Sequence, residues 1–187
     1  MNNKHRLSHI TISLHWLIAL TIIGLWIVGY YMMHWSVYPL YDIHKSIGVI
    51  VFLFIVVRVI WRLFEGWPVP VTQYQKMEHL LAQIVHWVLL ISTITMPVFG
   101  MLWSGASGYG FGIFHFQIIH ANINSGHPHQ VIPYSVFWAK VGEIGHVYNA
   151  YILLGALALH IIGALKHHLV DKDGLLLRML GYKVNKG

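Results

Sequence analysis

The chain contains no cysteine. This excludes disulfides, iron–sulfur clusters and the covalent Cys-x-x-Cys-His attachment of c-type haem. Charge is almost as scarce: 10% of the 187 residues are charged, with 6 acidic residues against 12 basic ones. An ordinary soluble domain carries about a quarter of its residues charged. Here 57% are hydrophobic, so lipid rather than water is the first solvent to consider.

Four stretches are nearly free of charge: Ile10 to Met33, Ser46 to Val57 within a longer segment from Ile43 to Phe64, Leu80 to Trp103, and Ile144 to Leu165. A span needs roughly 20 apolar residues, and the charged ends of the second can snorkel. The pattern predicts an all-α integral membrane four-helix bundle, one transmembrane domain over residues 1–187 with helices at about 10–33, 43–64, 77–103 and 141–168. The first apolar run is too long for a signal h-region and no small-residue cleavage site follows it, so it reads as a span.

Placement of the basic residues separates membrane from nucleic acid as the reason for the +6 formal charge. Lys4, Arg6, Arg58, Arg62, Lys76, Lys166, Lys172, Arg178, Lys183 and Lys186 fall on one side of the predicted bundle, leaving only Lys45 and Lys140 on the other. This is the positive-inside distribution; it predicts cytoplasmic termini and a multi-pass protein of a bacterial inner membrane, and leaves no nucleic-acid partner to invoke. Trp16, Trp35, Trp61, Trp67, Trp103, Trp138, Tyr30, Tyr31 and Tyr148 lie near span ends, as an interfacial belt requires.

The first two connections are short, the second carrying Pro68 and Pro70. The third, about Ser104 to Lys140, is a long periplasmic loop with a Gly-rich start, which predicts a functional cap or short amphipathic element there. Pro97 lies inside the third span and frees the carbonyl of Thr93, predicting a bend. Leu175 to Leu177 and Met179-Leu180 predict a tail along the membrane surface. No internal repeat is visible.

The chemistry lies in the histidines, 15 in all. Most belong to loops, but His15, His44, His146 and His160 fall within spans or at their ends, where ionisable groups mark ligands or pathways. His146 and His160 are 14 residues apart, which returns to within about 40° of one helix face after roughly 21 Å of rise. By topology His15 matches His160 in depth and His44 matches His146. Two neutral imidazoles facing across a bundle are the axial ligands of a low-spin haem iron, so the reading is two haems b. Hydrogen bonding to a neighbouring helix is the alternative for any single histidine. Ala19, Gly48, Gly142, Ala156 and Ala164 stand one turn from these histidines and leave room for a macrocycle, or let helices approach.

Arg58 lies 14 residues after His44, with Arg62 a turn further, as a propionate clamp or, for Arg62, an ordinary anchor. His79 and His86 share a face of the third helix and suit a quinone site, a proton path or packing, with His86 also the substitute haem ligand. Lys45 and Lys140, near the outer histidines, steer a small anion or snorkel.

Ser13-Leu14-His15-Trp16, His44-Lys45-Ser46-Ile47-Gly48 running on to Arg58-Val59-Ile60-Trp61-Arg62, and Leu165-Lys166-His167-His168 followed by Asp171-Lys172-Asp173 and Leu177-Arg178-Met179 resemble the bacterial cytochrome b561 family of four-helix dihaem membrane proteins. The resemblance implies axial ligation by His15, His44, His146 and His160, and quinone-linked electron transfer across the inner membrane. The family's best-described activity, superoxide oxidation outside coupled to ubiquinone reduction, makes the expected function oxidoreductase. The alternatives are a cytochrome subunit serving a periplasmic redox partner, and a metal or proton transporter without a haem spectrum.

The charge asymmetry generates the first prediction: a C-terminal fusion reporter is active only when it is one that works in the cytoplasm. Activity confined to a periplasmic reporter would invert the map.

Overall fold

The computed structural model describes residues 7–66 and 75–182; Lys4, Arg6, Trp67, Pro68, Pro70, Lys183 and Lys186 lie outside the described residues. Four long helices form: α1 (His9–Trp35), α2 (Pro39–Glu65), α3 (Lys76–Ala106) and α4 (Val136–Lys166). All four are long and apolar enough to cross a membrane. They extend past the predicted ends, except that α4 gives way to a π-helix at His167, just before its predicted end at 168. Pro39 opens α2 four residues earlier, at a first-turn position where its missing N–H costs nothing. α4 starts at Val136, where the Ser135 side chain accepts the Trp138 N–H.

The helices pack as two hairpins, α1 with α2 and α3 with α4, and the backbones of α1 and α4 hardly meet. Ile18, Val51 and Ile55 form a small dry core where α1 and α2 join, backed by Ile94 of α3. Most other apolar side chains are exposed, as expected where lipid supplies the rest of the packing. α3 and α4 approach closely through glycine. A Cβ on Gly142 would lie 2.4 Å from the Trp103 backbone nitrogen, so this residue serves helix approach rather than space for a macrocycle.

Around Pro97, α4 supplies donors to α3 carbonyls: Asn149 Nδ2 donates to Ser92 O at 2.9 Å, and the His146 ring nitrogen meets Met96 O at 3.0 Å. The helix continues through the proline. At the end carrying the termini, Trp61 Nε1 donates to Thr11 Oγ1 at 3.1 Å and the Thr11 hydroxyl donates to Glu65, tying α1 to α2. A π-turn (His167–Asp171) and a short α5 (Leu175–Met179) fold the tail back, and Trp16 Nε1 donates to Met179 O at 2.9 Å. Lys166 contacts Glu78 and sits 2.8 Å from Asp171, so its ammonium fills the cluster of Glu78, His167 and Asp171.

The long connection between α3 and α4 is a cap of two small antiparallel sheets, β1 (Phe111–Ile113) with β2 (Phe116–Ile119) and β3 (Ile123–Asn124) with β4 (His127–Val131). Glycines let its strands approach: a Cβ on Gly112 would lie 2.1 Å from Phe116 O.

Gly142→Ala should lower the thermal midpoint, costing about 1–3 kcal/mol through overpacking against a backbone that has no room to yield. Gly155→Ala, with nothing near its Cβ position, should be neutral or stabilising by up to about 1 kcal/mol through helix propensity. Equal midpoints for the two variants in thermal unfolding would refute the packing role.

Candidate functional site

The space between the two hairpins is where the four span histidines face one another, His15 of α1 and His44 of α2 against His160 and His146 of α4. The rings of His15 and His160 have centroids 6.2 Å apart at 63°, and those of His44 and His146 are 6.1 Å apart at 81°. The depth-matched partners read from sequence are thus brought together, one pair towards the end that carries the termini and one towards the cap.

The donor set and its spacing suit haem iron. Two imidazole-to-metal bonds of roughly 2 Å each, with the ring radii added, span about 6 Å between centroids, the separation observed at both pairs. The environment of each ring decides which nitrogen is available. Met96 O can only accept, so His146 carries its proton on Nδ1 and leaves Nε2 free to ligate, the usual arrangement of a metal-binding histidine held by a carbonyl. Among the described residues, buried His44 Nδ1 makes no hydrogen bond.

Glycine clears the space beside both rings at the cap end. A Cβ on Gly29 would be 3.3 Å from His44 Cε1, and one on Gly100 would be 3.1 Å from His146 Cε1. These two glycines escape a sequence reading that looks one turn from each histidine on its own helix, because they lie on facing helices. Gly48, by contrast, has open space at its Cβ position.

At the pair nearer the termini the ring's partner differs. Arg58 Nη2 lies 3.2 Å from His15 Nδ1. A guanidinium only donates, so His15 Nδ1 accepts and its proton is left on Nε2. Ligation through Nε2 therefore calls for Arg58 to release Nδ1, and a carboxylate such as a haem propionate is the partner to which its fork would turn. Arg62 is engaged elsewhere, donating to Gly66 O at 3.0 Å with Glu65 at 3.8 Å, an anchor at the end of α2.

His86 joins the inner pair. Its ring centroid is 5.3 Å from that of His160, which makes a cluster of three imidazoles from α1, α3 and α4. His79 stays at the exposed surface of α3, 3.1 Å from Gln83 Nε2, and does not converge on the site. At the cap end each lysine faces a carboxylate of its own helix at 3.1 Å, Lys45 with Asp42 and Lys140 with Glu143. Trp103 lies against His146, centroids 6.0 Å apart, and closes that pair from α3.

Four helices long and apolar enough to span a membrane, with histidine pairs opposed in the gap between two hairpins, fit the class of multi-pass b-type membrane cytochromes. The comparison with known proteins narrows this. The model of the prokaryotic cytochrome b561 family matches residues 6–182, and the chain belongs to that family. It is 29% identical to cytochrome b561 homolog 2 of Escherichia coli, over 96% of this chain and 94% of that protein. It is also 27% identical to a protein of Yersinia pestis named probable superoxide oxidase CybB, over 98% of this chain and 99% of that one. Family membership implies haem b and a bacterial inner-membrane setting.

The pairing predicts how haem is lost. His44→Ala and His146→Ala should each remove the same haem, about half the total, and the double variant should lose no more than either single one. His15→Ala and His160→Ala should remove the other half. Haem content per purified chain measures this; full content in both His44→Ala and His146→Ala would refute the outer pair, and retention in His15→Ala alone would make His86 the ligand.

Proposed function

We propose that the protein takes single electrons from a reductant outside the membrane, with superoxide first among them, and delivers them to ubiquinone towards the side of its termini. The observation that carries this reading is the pair of facing imidazole sets at two levels of one bundle. Haem b held by His44 with His146, and by His15 with His160, would supply a one-electron carrier at each level.

The chain's own residues position and tune. His146 is oriented by Met96 O, while Arg58 provides a fixed charge beside the inner pair for a carboxylate. Reducing one ubiquinone consumes two electrons and two protons, so two superoxide anions leave as dioxygen for each quinol formed. His86, exposed on α3 beside His160, is the imidazole placed to hand a proton to a bound quinone. The name of the Yersinia relative supports superoxide as the donor.

Lys45 and Lys140 remain the outer groups for steering an anion, with Asp42 and Glu143 balancing them. Replacing both lysines would leave these carboxylates uncompensated and turn the outer face repulsive to superoxide.

Purified protein given a superoxide source and a soluble ubiquinone should form quinol, and His44→Ala should abolish it. Lys45→Gln with Lys140→Gln should slow superoxide-dependent haem reduction several-fold at low salt, the difference shrinking as ionic strength rises. Quinol formation only after a redox protein is added would overturn superoxide as the donor; salt-independent rates equal in both proteins would overturn the steering role.

A further inference from the structure

From His79 to Ala139 the chain has no Asp, Glu, Lys or Arg, and this run includes the whole outer cap. A cap standing in water would ordinarily carry charge. This one exposes Tyr109, Phe114, Phe116, Ile118 and Ile119, with Phe116 at 71%. The β1–β2 hairpin that bears them is rigidly placed. Phe114, at its turn, has a left-handed φ of 52°, an uncommon conformation for a residue with a side chain, and its N–H donates to Ser46 Oγ at 2.8 Å. Ser46 is buried, at 3% exposure. At the hairpin's other end Gly110 O accepts from Ser104 Oγ at 2.6 Å and lies 3.4 Å from Lys45 Nζ.

The latch on Ser46 fixes the depth of the turn. The outer charges of α2, Asp42 and Lys45, stop immediately before Ser46, and the uncharged run to Val57 begins with it. Ser46 is seven residues into a helix whose 27 residues span about 40 Å against a hydrocarbon core of about 30 Å. The turn therefore sits where headgroups meet acyl chains, the level at which aromatic side chains gather. The apolar surface of the hairpin runs directly into the lipid-facing surface of α2 at this level. Its backbone groups pair between β1 and β2, while its free edges keep it out of the deeper hydrocarbon.

We propose that the turn of the β1–β2 hairpin is seated in the outer leaflet, with Phe114 and Phe116 against the upper acyl chains and Ile118 nearer the headgroups. Phospholipid is the occupant of this apolar face. The seat adds a non-helical membrane anchor beside the outer histidine pair, and Ser46 is its positioning residue.

The absence of native cysteine makes the test direct. Nitroxide labels are placed singly at Phe116→Cys and Ile118→Cys, with Leu53→Cys on the exposed mid-face of α2 and His127→Cys on β4 as lipid and aqueous references. The haem-loaded protein is held in nanodiscs of phosphatidylethanolamine and phosphatidylglycerol, and collision with oxygen is compared with collision with a water-soluble nickel chelate. The ratio of oxygen to chelate collision at Phe116 should exceed that at His127 several-fold and fall between His127 and Leu53, with Ile118 lower than Phe116. Ser46→Ala should shift the Phe116 label towards the aqueous value. A Phe116 ratio equal to that of His127 would overturn the proposal, as would shielding from both reagents, which would mean a protein occupant. If Phe116→Cys fails to bind haem, the label at Ile118 decides by the same comparison with His127.

Discussion

Imidazoles inside an apolar bundle have to be satisfied, and in this protein they are set against one another across the space between two helical hairpins. α1 and α2 form one hairpin, α3 and α4 the other, and each facing pair takes one ring from each. Neutral imidazoles in hydrocarbon lack the water that would otherwise occupy their nitrogens, so a buried ring without a partner is costly. A metal between two rings would resolve that cost. Rings held about 6 Å apart need a gap of set width, since a direct helix contact would close it and a wider one would leave it unbridged.

Glycine serves two opposite purposes around that space. Gly142 brings α4 against the Trp103 backbone and makes the α3–α4 hairpin tight. Gly29 and Gly100 keep side chains away from the rings at the cap end and maintain an opening. The ring orientations are then fixed unequally, by a carbonyl at His146 and by a guanidinium at His15. A carbonyl partner strengthens a ligating imidazole, whereas a cation beside one weakens it, so the two levels differ in electronic environment before any cofactor property is considered.

The spans were legible because lipid tolerates so little charge: the gaps between Arg6 and Asp42, between Lys45 and Arg58, and from His79 onwards locate the helices almost by themselves. The histidine pairs were legible because depth along a helix follows residue count, so His15 with His160 and His44 with His146 could be matched without coordinates. What escaped the sequence depends on contacts between distant segments. The strands of the cap are two to five residues long, too short for a period to show, and their placement rests on the bond from Phe114 to Ser46, 68 residues away. The approach of His86 to His160 depends on how α3 is rotated against α4, which no local pattern specifies. The spacing from His44 suggests Arg58 as a candidate carboxylate clamp, but its bond to His15 Nδ1 could not be seen from that spacing.

The central claim is that two bis-imidazole sites exist in one chain. It is tested most directly by measuring haem b per chain in the purified protein together with its low-temperature electron paramagnetic resonance spectrum. The account predicts two haems per chain, both low-spin with two nitrogenous axial ligands, and two distinguishable signals because the surroundings of His15 and His146 differ. One haem per chain, or a high-spin signal at full occupancy, would contradict it.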